Sequence, residues 1–234
     1  MGFIKTGLAA VAFLASATAL SATTVTLSAQ NAQDLFNGGG KASITVNNSG
    51  STHKVSAGGF RVTDGSSNFI AWCLDLANVI SLPSPYSITQ TPFSQTAGAF
   101  SASVQQNLQR LFNTVYSGLD LNNNAQSAGF QLALWEVIYE GKPNLNVQNG
   151  DFKWTAGSTA ARNQANTFLG MMNGPETMQY NMTFFESGVD KHNKQFSQNL
   201  VSVAPIPLPA AAWLLGAGLI GLVAVGRRRR EDAA

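Results

Sequence analysis

Residues 55–76 read VSAGGFRVTDGSSNFIAWCLDL, which is two largely apolar runs separated by a short polar stretch. The first run covers residues 55–63 and the second covers residues 69–76. The polar residues at 64–68 begin with Asp-Gly, a pair typical of tight turns. Two apolar runs around such a turn predict a β-hairpin, so the protein is expected to be built around β-strands.

The rest of the chain adds strands on both sides of a helical region. Four further strands are predicted by alternating or β-branched stretches, at residues 23–27, 42–47, 178–186 and 199–203. Three helices are predicted by apolar residues at helical spacing, at residues 104–115, 126–139 and 160–172. The three prolines at 83, 85 and 92 predict a loop. The order predicts an α+β fold with a β-rich, sandwich-like or barrel-like frame and a helical insert.

The N-terminus is predicted to be a secretory signal peptide, residues 1–22. Lys5 is followed by an apolar run and then by small residues suited to cleavage. The part that remains after removal, residues 23–203, is predicted to be one exported domain, since its length suffices for a single core.

The C-terminus, residues 204–234, is predicted to be a membrane-inserted tail. Residues 205–210 read PIPLPA, and residues 210–226 form an uncharged stretch that spans about 25 Å as a helix. Four arginines follow at 227–230, and such a cluster stays on the cytoplasmic side of a membrane. The residues concerned are Pro205, Pro207, Leu208, Pro209 and Ala210 in the proline motif, and Arg227, Arg228, Arg229 and Arg230 in the basic cluster.

This tail resembles the VPLPA variant of the PEP-CTERM sorting signals of Gram-negative bacteria that make exopolysaccharide. It departs from the name only in having Ile206 where the name has Val. The resemblance implies that an exosortase-type protease cuts near the proline motif. The protein would be held briefly in the inner membrane and then delivered to the cell surface or extracellular matrix.

Composition and charge exclude several functions. The net charge of +2 depends on the tail arginines, and acidic and basic residues nearly balance in the exported part. The exported part has no basic patch in its sequence, so a nucleic-acid partner is not expected. His53 and His192 are far apart, and no metal or cofactor motif accompanies them. Glu136 and Glu140 lie four residues apart on a predicted helix, a spacing that we interpret as a solvated face. We therefore predict no catalytic residues and no enzyme.

Cys73 is the only cysteine of the chain, so it cannot form an internal disulfide. One interpretation is a small buried apolar residue between Trp72 and Leu74. The other interpretation is a reactive thiol, which would need a partner elsewhere in the chain.

Two motifs bear on that partner. Trp72-Cys73-Leu74-Asp75 has the form aromatic, Cys, apolar, acidic, and residues 130–135 read FQLALW within a predicted helix. In this order they resemble the paired motifs of bacterial surface thioester domains. The resemblance implies an internal thioester in which Cys73 supplies the sulfur and Gln131 the acyl carbon. Gln126 does not match the motif and is the weaker candidate.

The same resemblance implies a pocket that screens the thioester. Its implied residues are Trp72, Asp75, Phe130 and Trp135, and Phe69 and Leu134 are expected to add apolar surface. A thioester is an electrophile for the amine or hydroxyl of a partner, so the protein would attach covalently to an unknown surface or matrix partner. The thiol should then lie within about 4 Å of the Gln131 side chain. The alternatives are a non-reactive matrix protein of the same fold and a secreted enzyme, for which no catalytic constellation is found.

Overall fold

A computed structural model of the chain describes residues 23–89, 100–140, 145–174, 179–192 and 194–206. The predicted signal peptide, the predicted membrane helix at 210–226 and the arginine cluster lie outside these residues. Within the described ranges, no helix is both long and apolar enough to cross a bilayer.

The described residues form nine strands and three α-helices. The strands are β1 (Thr24–Ala29), β2 (Lys41–Asn48), β3 (Ser51–Gly58), β4 (Phe60–Thr63), β5 (Asn68–Cys73), β6 (Ser84–Thr89), β7 (Phe152–Gly157), β8 (Tyr180–Ser187) and β9 (Leu200–Pro205). The helices are α1 (Ala102–Val115), α2 (Asn124–Tyr139) and α3 (Thr159–Met171).

Six of the strands close into an antiparallel barrel. Their order around the barrel is β1-β4-β5-β9-β8-β6, and β6 pairs with β1 to complete it. The other three form a separate antiparallel sheet in the order β3-β2-β7. The helices lie between β6 and β8 in sequence. The α+β class and the β-rich frame are thus confirmed, as is the β4–β5 hairpin, whose turn is fixed by Asp64 Oδ1 accepting from the backbone of Ser66 and Ser67.

The single strand predicted at residues 55–63 is wrong. The chain divides there into β3, which pairs with β2, and β4, which enters the barrel. The break falls at Gly58 and Gly59, and Gly58 has a φ of +151° that side chains rarely adopt. A Cβ at Gly59 would lie 2.6 Å from Ile70 Cγ2, so the crossing also requires the absence of a side chain there.

The loop predicted from the prolines is also wrong in part, because residues 84–89 form β6. Pro85 stands opposite Thr26 of β1 but precedes Tyr86, the first residue paired with β8. It can therefore sit at the start of a strand without removing a bond to β8. The sequence prediction also missed β7, a short strand that pairs with β2.

All three predicted helices are confirmed within about two residues of their ends. Side chains cap their N-termini, with Ser101 for α1, Asn123 for α2 and Ser158 for α3. Residues 127–137 of α2 are all buried, so this helix is enclosed on every side rather than along one apolar face. This helix contacts α1, α3 and the three-stranded sheet at once, which makes it the central element of the molecule.

Candidate functional site

Cys73 and Gln131 lie in direct contact. Cys73 is the last residue of β5, and Gln131 is in the middle of α2, 58 residues further along the chain. The backbone N–H of Cys73 donates to Gln131 Oε1 at 2.9 Å, and Gln131 Nε2 donates to the Cys73 carbonyl at 2.8 Å. Both residues are about 1% exposed. The fold therefore brings together the two residues that the paired motifs singled out.

The glutamine is bound here because β4 does not extend far enough to pair with Cys73. Phe60 of β4 stands opposite Ala71 of β5. If the two strands continued in this register, Gly58 would stand opposite Cys73, two residues further on. Gly58 is instead paired with Lys41 in the three-stranded sheet. A carboxamide carries one acceptor and one donor in the same arrangement as a peptide group, so Gln131 satisfies the backbone groups that the departing strand leaves open.

The thiol of Cys73 makes a contact of its own. Sγ donates to the backbone carbonyl of Asp75 at 2.6 Å. Burial, followed by the negative charge of Asp75, raises the pKa of the Cys73 thiol well above its usual range. The indole N–H of Trp135 faces the sulfur and lowers that pKa by a smaller amount, although it forms no hydrogen bond of ordinary length with any described residue. The thiol is therefore neutral at neutral pH.

Asp75 joins two loops beside Cys73. Its carboxylate accepts from the backbone N–H of Asn199 at 2.9 Å and from the backbone N–H of Asn78 at 3.1 Å. Burial raises the pKa of Asp75 above its model-compound value of 3.8, although these hydrogen bonds act in the opposite direction. The motif acid thus serves as an acceptor for backbone groups, and the thiol contacts its carbonyl rather than its carboxylate.

Aromatic rings surround the contact on the helical side. The rings of Trp72 and Phe130 are 4.6 Å apart between centroids, and Trp72, Phe130, Leu134 and Trp135 are all 2% exposed or less. Phe69 is placed differently, because its ring stacks on Phe185 at 5.5 Å. Water is thereby excluded from the side of the site that faces α2.

Two tyrosines were missed by the sequence prediction. Tyr139 accepts from the backbone N–H of Leu76 at 3.1 Å and donates to the carbonyl of Leu74 at 3.3 Å, which fixes the chain just after Cys73. Burial raises the pKa of Tyr139, and it raises that of Tyr86 to about 12. The spacing of Tyr139, two helical turns beyond Gln131, was the signal that could have identified it.

The interpretation of Glu136 and Glu140 as a solvated face is wrong, since both are buried. Glu136 Oε1 accepts from the N–H of Asn146 at 2.7 Å, and Glu140 Oε2 accepts from the N–H of Phe152 at 3.1 Å. Backbone donors replace water around the two carboxylates, so their role is to fix the chain before β7.

The remaining candidates lie elsewhere. Gln126 Oε1 accepts from the N–H of Asp120 and does not take part in the Cys73 contact. No group of metal-binding side chains occurs among the residues that the structure describes, His53 and His192 included. No family model matches the chain, and no curated protein matches it. The chemistry of the site therefore rests on its own residues.

Proposed function

We propose that this protein acts at the cell surface or in the extracellular matrix and attaches covalently to a partner through an internal thioester between Cys73 and Gln131. The observation that supports the proposal is the buried contact between a lone cysteine and a carboxamide from a distant part of the chain. The bonds to the Cys73 backbone hold the carboxamide beside the residue that carries the thiol, and an intramolecular acyl transfer requires its reacting groups to be held close together.

The reaction needs no co-reactant. The sulfur of Cys73 attacks Cδ of Gln131, the C–S bond forms, and the C–N bond breaks. The thiol proton goes to the departing nitrogen, which leaves as ammonia. The Cys73 N–H already binds Oε1, so it is placed to stabilise the negative charge that develops on this oxygen.

The second step transfers the acyl group to the partner. An amine of the partner attacks the same carbon, an amide bond forms, and the C–S bond breaks. The amine proton returns to the sulfur. Because a thiol with a raised pKa leaves slowly, and because the site is dry, hydrolysis before the partner arrives is slowed.

The intact mass of the purified protein tests the proposal. The expected mass is lower than the sequence mass by one ammonia, and methylamine should add at Gln131. The Cys73→Ala variant should show neither effect. An unshifted mass together with a Cys73 that is alkylated on unfolding would overturn the proposal.

A second candidate is a non-reactive matrix protein with the same fold. The reciprocal bonds between Gln131 and the backbone of Cys73 favour it, because they give the glutamine a complete structural role. In this case the unfolded protein carries a free thiol and its mass equals the sequence mass.

Sorting by the C-terminal tail is the other part of the proposal. Strand β9 runs to Pro205, the first residue of the proline motif, and the N–H of Ile206 donates to the carbonyl of Gln179. The folded part thus reaches the motif itself. We expect surface protein to lack the C-terminal peptide, as mass spectrometry of protein released from intact cells can show. Surface-exposed chains that retain Arg227–Arg230 would contradict this.

A further inference from the structure

Side chains with a polar atom occur at every fourth position of α2. They are Ser127, Gln131, Trp135 and Tyr139. Residues spaced in this way lie on one face of a helix, each one turn from the next. Gln131 and Tyr139 bind the backbone of residues 73–76, as described above, and the indole of Trp135 faces the thiol. Ser127, at the start of the row, has no assigned role.

Ser127 Oγ accepts from the backbone N–H of Gly59 at 3.1 Å. The side chain is 1% exposed, so water cannot replace this bond. A serine inside a helix commonly bonds back to its own helix or faces solvent, but this one binds a different element. It therefore ties α2 to the point where the chain leaves the three-stranded sheet for the barrel.

The position of Gly59 links that bond to Cys73. Gly59 immediately precedes β4, and β4 is held in register against β5, of which Cys73 is the last residue. Gly59 has little room to move relative to β5, because it packs closely against the side chains of Ile70 and Trp72. A shift of α2 along its axis at Ser127 would shift Gln131 relative to Cys73 by the same amount.

We propose that Ser127 is a positioning residue, whose hydroxyl sets the axial position of α2 so that the Gln131 carboxamide meets Cys73. Its chemical effect rests on the thioester function proposed above. Its structural effect, which is the pairing of Gln131 with the backbone of Cys73, does not depend on that function.

The test compares Ser127→Ala with Ser127→Thr, which keeps a hydroxyl, and with Ser187→Ala. Ser187 is a matched control, because it is fully buried on β8 and its Oγ accepts from the backbone N–H of Ser197 at 2.9 Å. Two quantities are measured on each folded variant. One is the fraction of molecules whose mass is lower by one ammonia, and the other is the hydrogen exchange rate of the Cys73 amide by NMR.

Ser127→Ala should slow formation of the thioester about 10- to 100-fold through misplacement of the reacting groups, so a smaller fraction of this variant than of Ser187→Ala should show the loss of ammonia. It should also speed exchange of the Cys73 amide relative to Ser187→Ala, with recovery in Ser127→Thr. Equal effects of the two alanine variants on both quantities would overturn the proposal, whether or not the threonine variant folds. If the wild-type protein shows no ammonia loss, the thioester function fails, and Ser127 is then judged on the exchange rates alone.

Discussion

The bonds between Gln131 and the backbone of Cys73 make a prediction that is independent of any thioester. In a Cys73→Ala background no thioester can form, but the backbone N–H and carbonyl of residue 73 remain. Replacing Gln131 by Met in this background keeps a side chain of similar length and removes both hydrogen bonds. The comparison of the single and double variants therefore isolates the energy of this pairing.

The expected magnitude follows from burial. The two groups at residue 73 are enclosed, since Cys73 and Gln131 are each about 1% exposed. A buried polar group that loses its only partner costs about 1–3 kcal/mol, so the two together should lower the free energy of unfolding by about 2–6 kcal/mol. The added apolar surface of Met places the expected result toward the lower end of this range.

Urea unfolding at 25 °C, followed by circular dichroism, measures this difference. Gln126→Met in the same background is the control, because it is the same change on the same helix but affects a solvent-exposed bond to Asp120. The control should leave the free energy of unfolding nearly unchanged. A loss below about 1 kcal/mol for Gln131→Met, or an equal loss in the control, would refute the interpretation of Gln131 as a substitute for a missing strand.

Three further predictions concern the surroundings of the site. Because burial raises the folded-state pKa of Asp75 above 3.8, its contribution to stability is present below about pH 4 and is lost as the pH rises through that folded-state pKa. In urea titrations, the free energy of unfolding of Asp75→Asn should therefore rise relative to that of wild type as the pH increases above about 4. Gly59→Ala should cost about 1–3 kcal/mol by overpacking against Ile70, whereas Gly170→Ala, which meets no atom within 4 Å, should be neutral or stabilising in thermal melts. Glu140→Ala should cost about 1–3 kcal/mol, mainly by leaving the buried N–H of Phe152 at the start of β7 without its acceptor, since the exposed Asp151 can turn to water; a loss below about 1 kcal/mol would show that the carboxylate is dispensable.

The parts of the fold that the sequence predicted depend on local signals. The β4–β5 hairpin follows from its Asp-Gly turn, and α2 follows from its apolar residues at helical spacing. Cys73 and Gln131 could be paired in advance because each lies in a short motif. Their contact therefore required no knowledge of the topology.

The parts that were missed depend on partners distant in sequence. The division of residues 55–63 into two strands is visible only once Gly58 is seen opposite Lys41. The burial of Glu136 and Glu140 depends on backbone donors that come from the segment before β7, so helical spacing alone indicated the wrong environment. Ser127 has no distinguishing signal in the sequence, because its partner Gly59 lies between two strands, 68 residues away.

The structural role of Gln131 accounts for a glutamine at position 131, but it does not account for a cysteine at position 73. Both of its hydrogen bonds go to the backbone of residue 73, so they would form equally well with Ala or Ser at this position. The side chain at 73 is held separately, through the carbonyl of Asp75. If the pairing were the whole function, Cys73→Ser should preserve stability, and both wild type and variant should have the mass that their own sequences give. If the thioester forms, the same variant should lose the ammonia deficit while it keeps the Gln131 pairing, as seen in the exchange rate of its residue-73 amide. A thiol-specific chemical change that leaves the backbone pairing in place is therefore the result that separates the two functions.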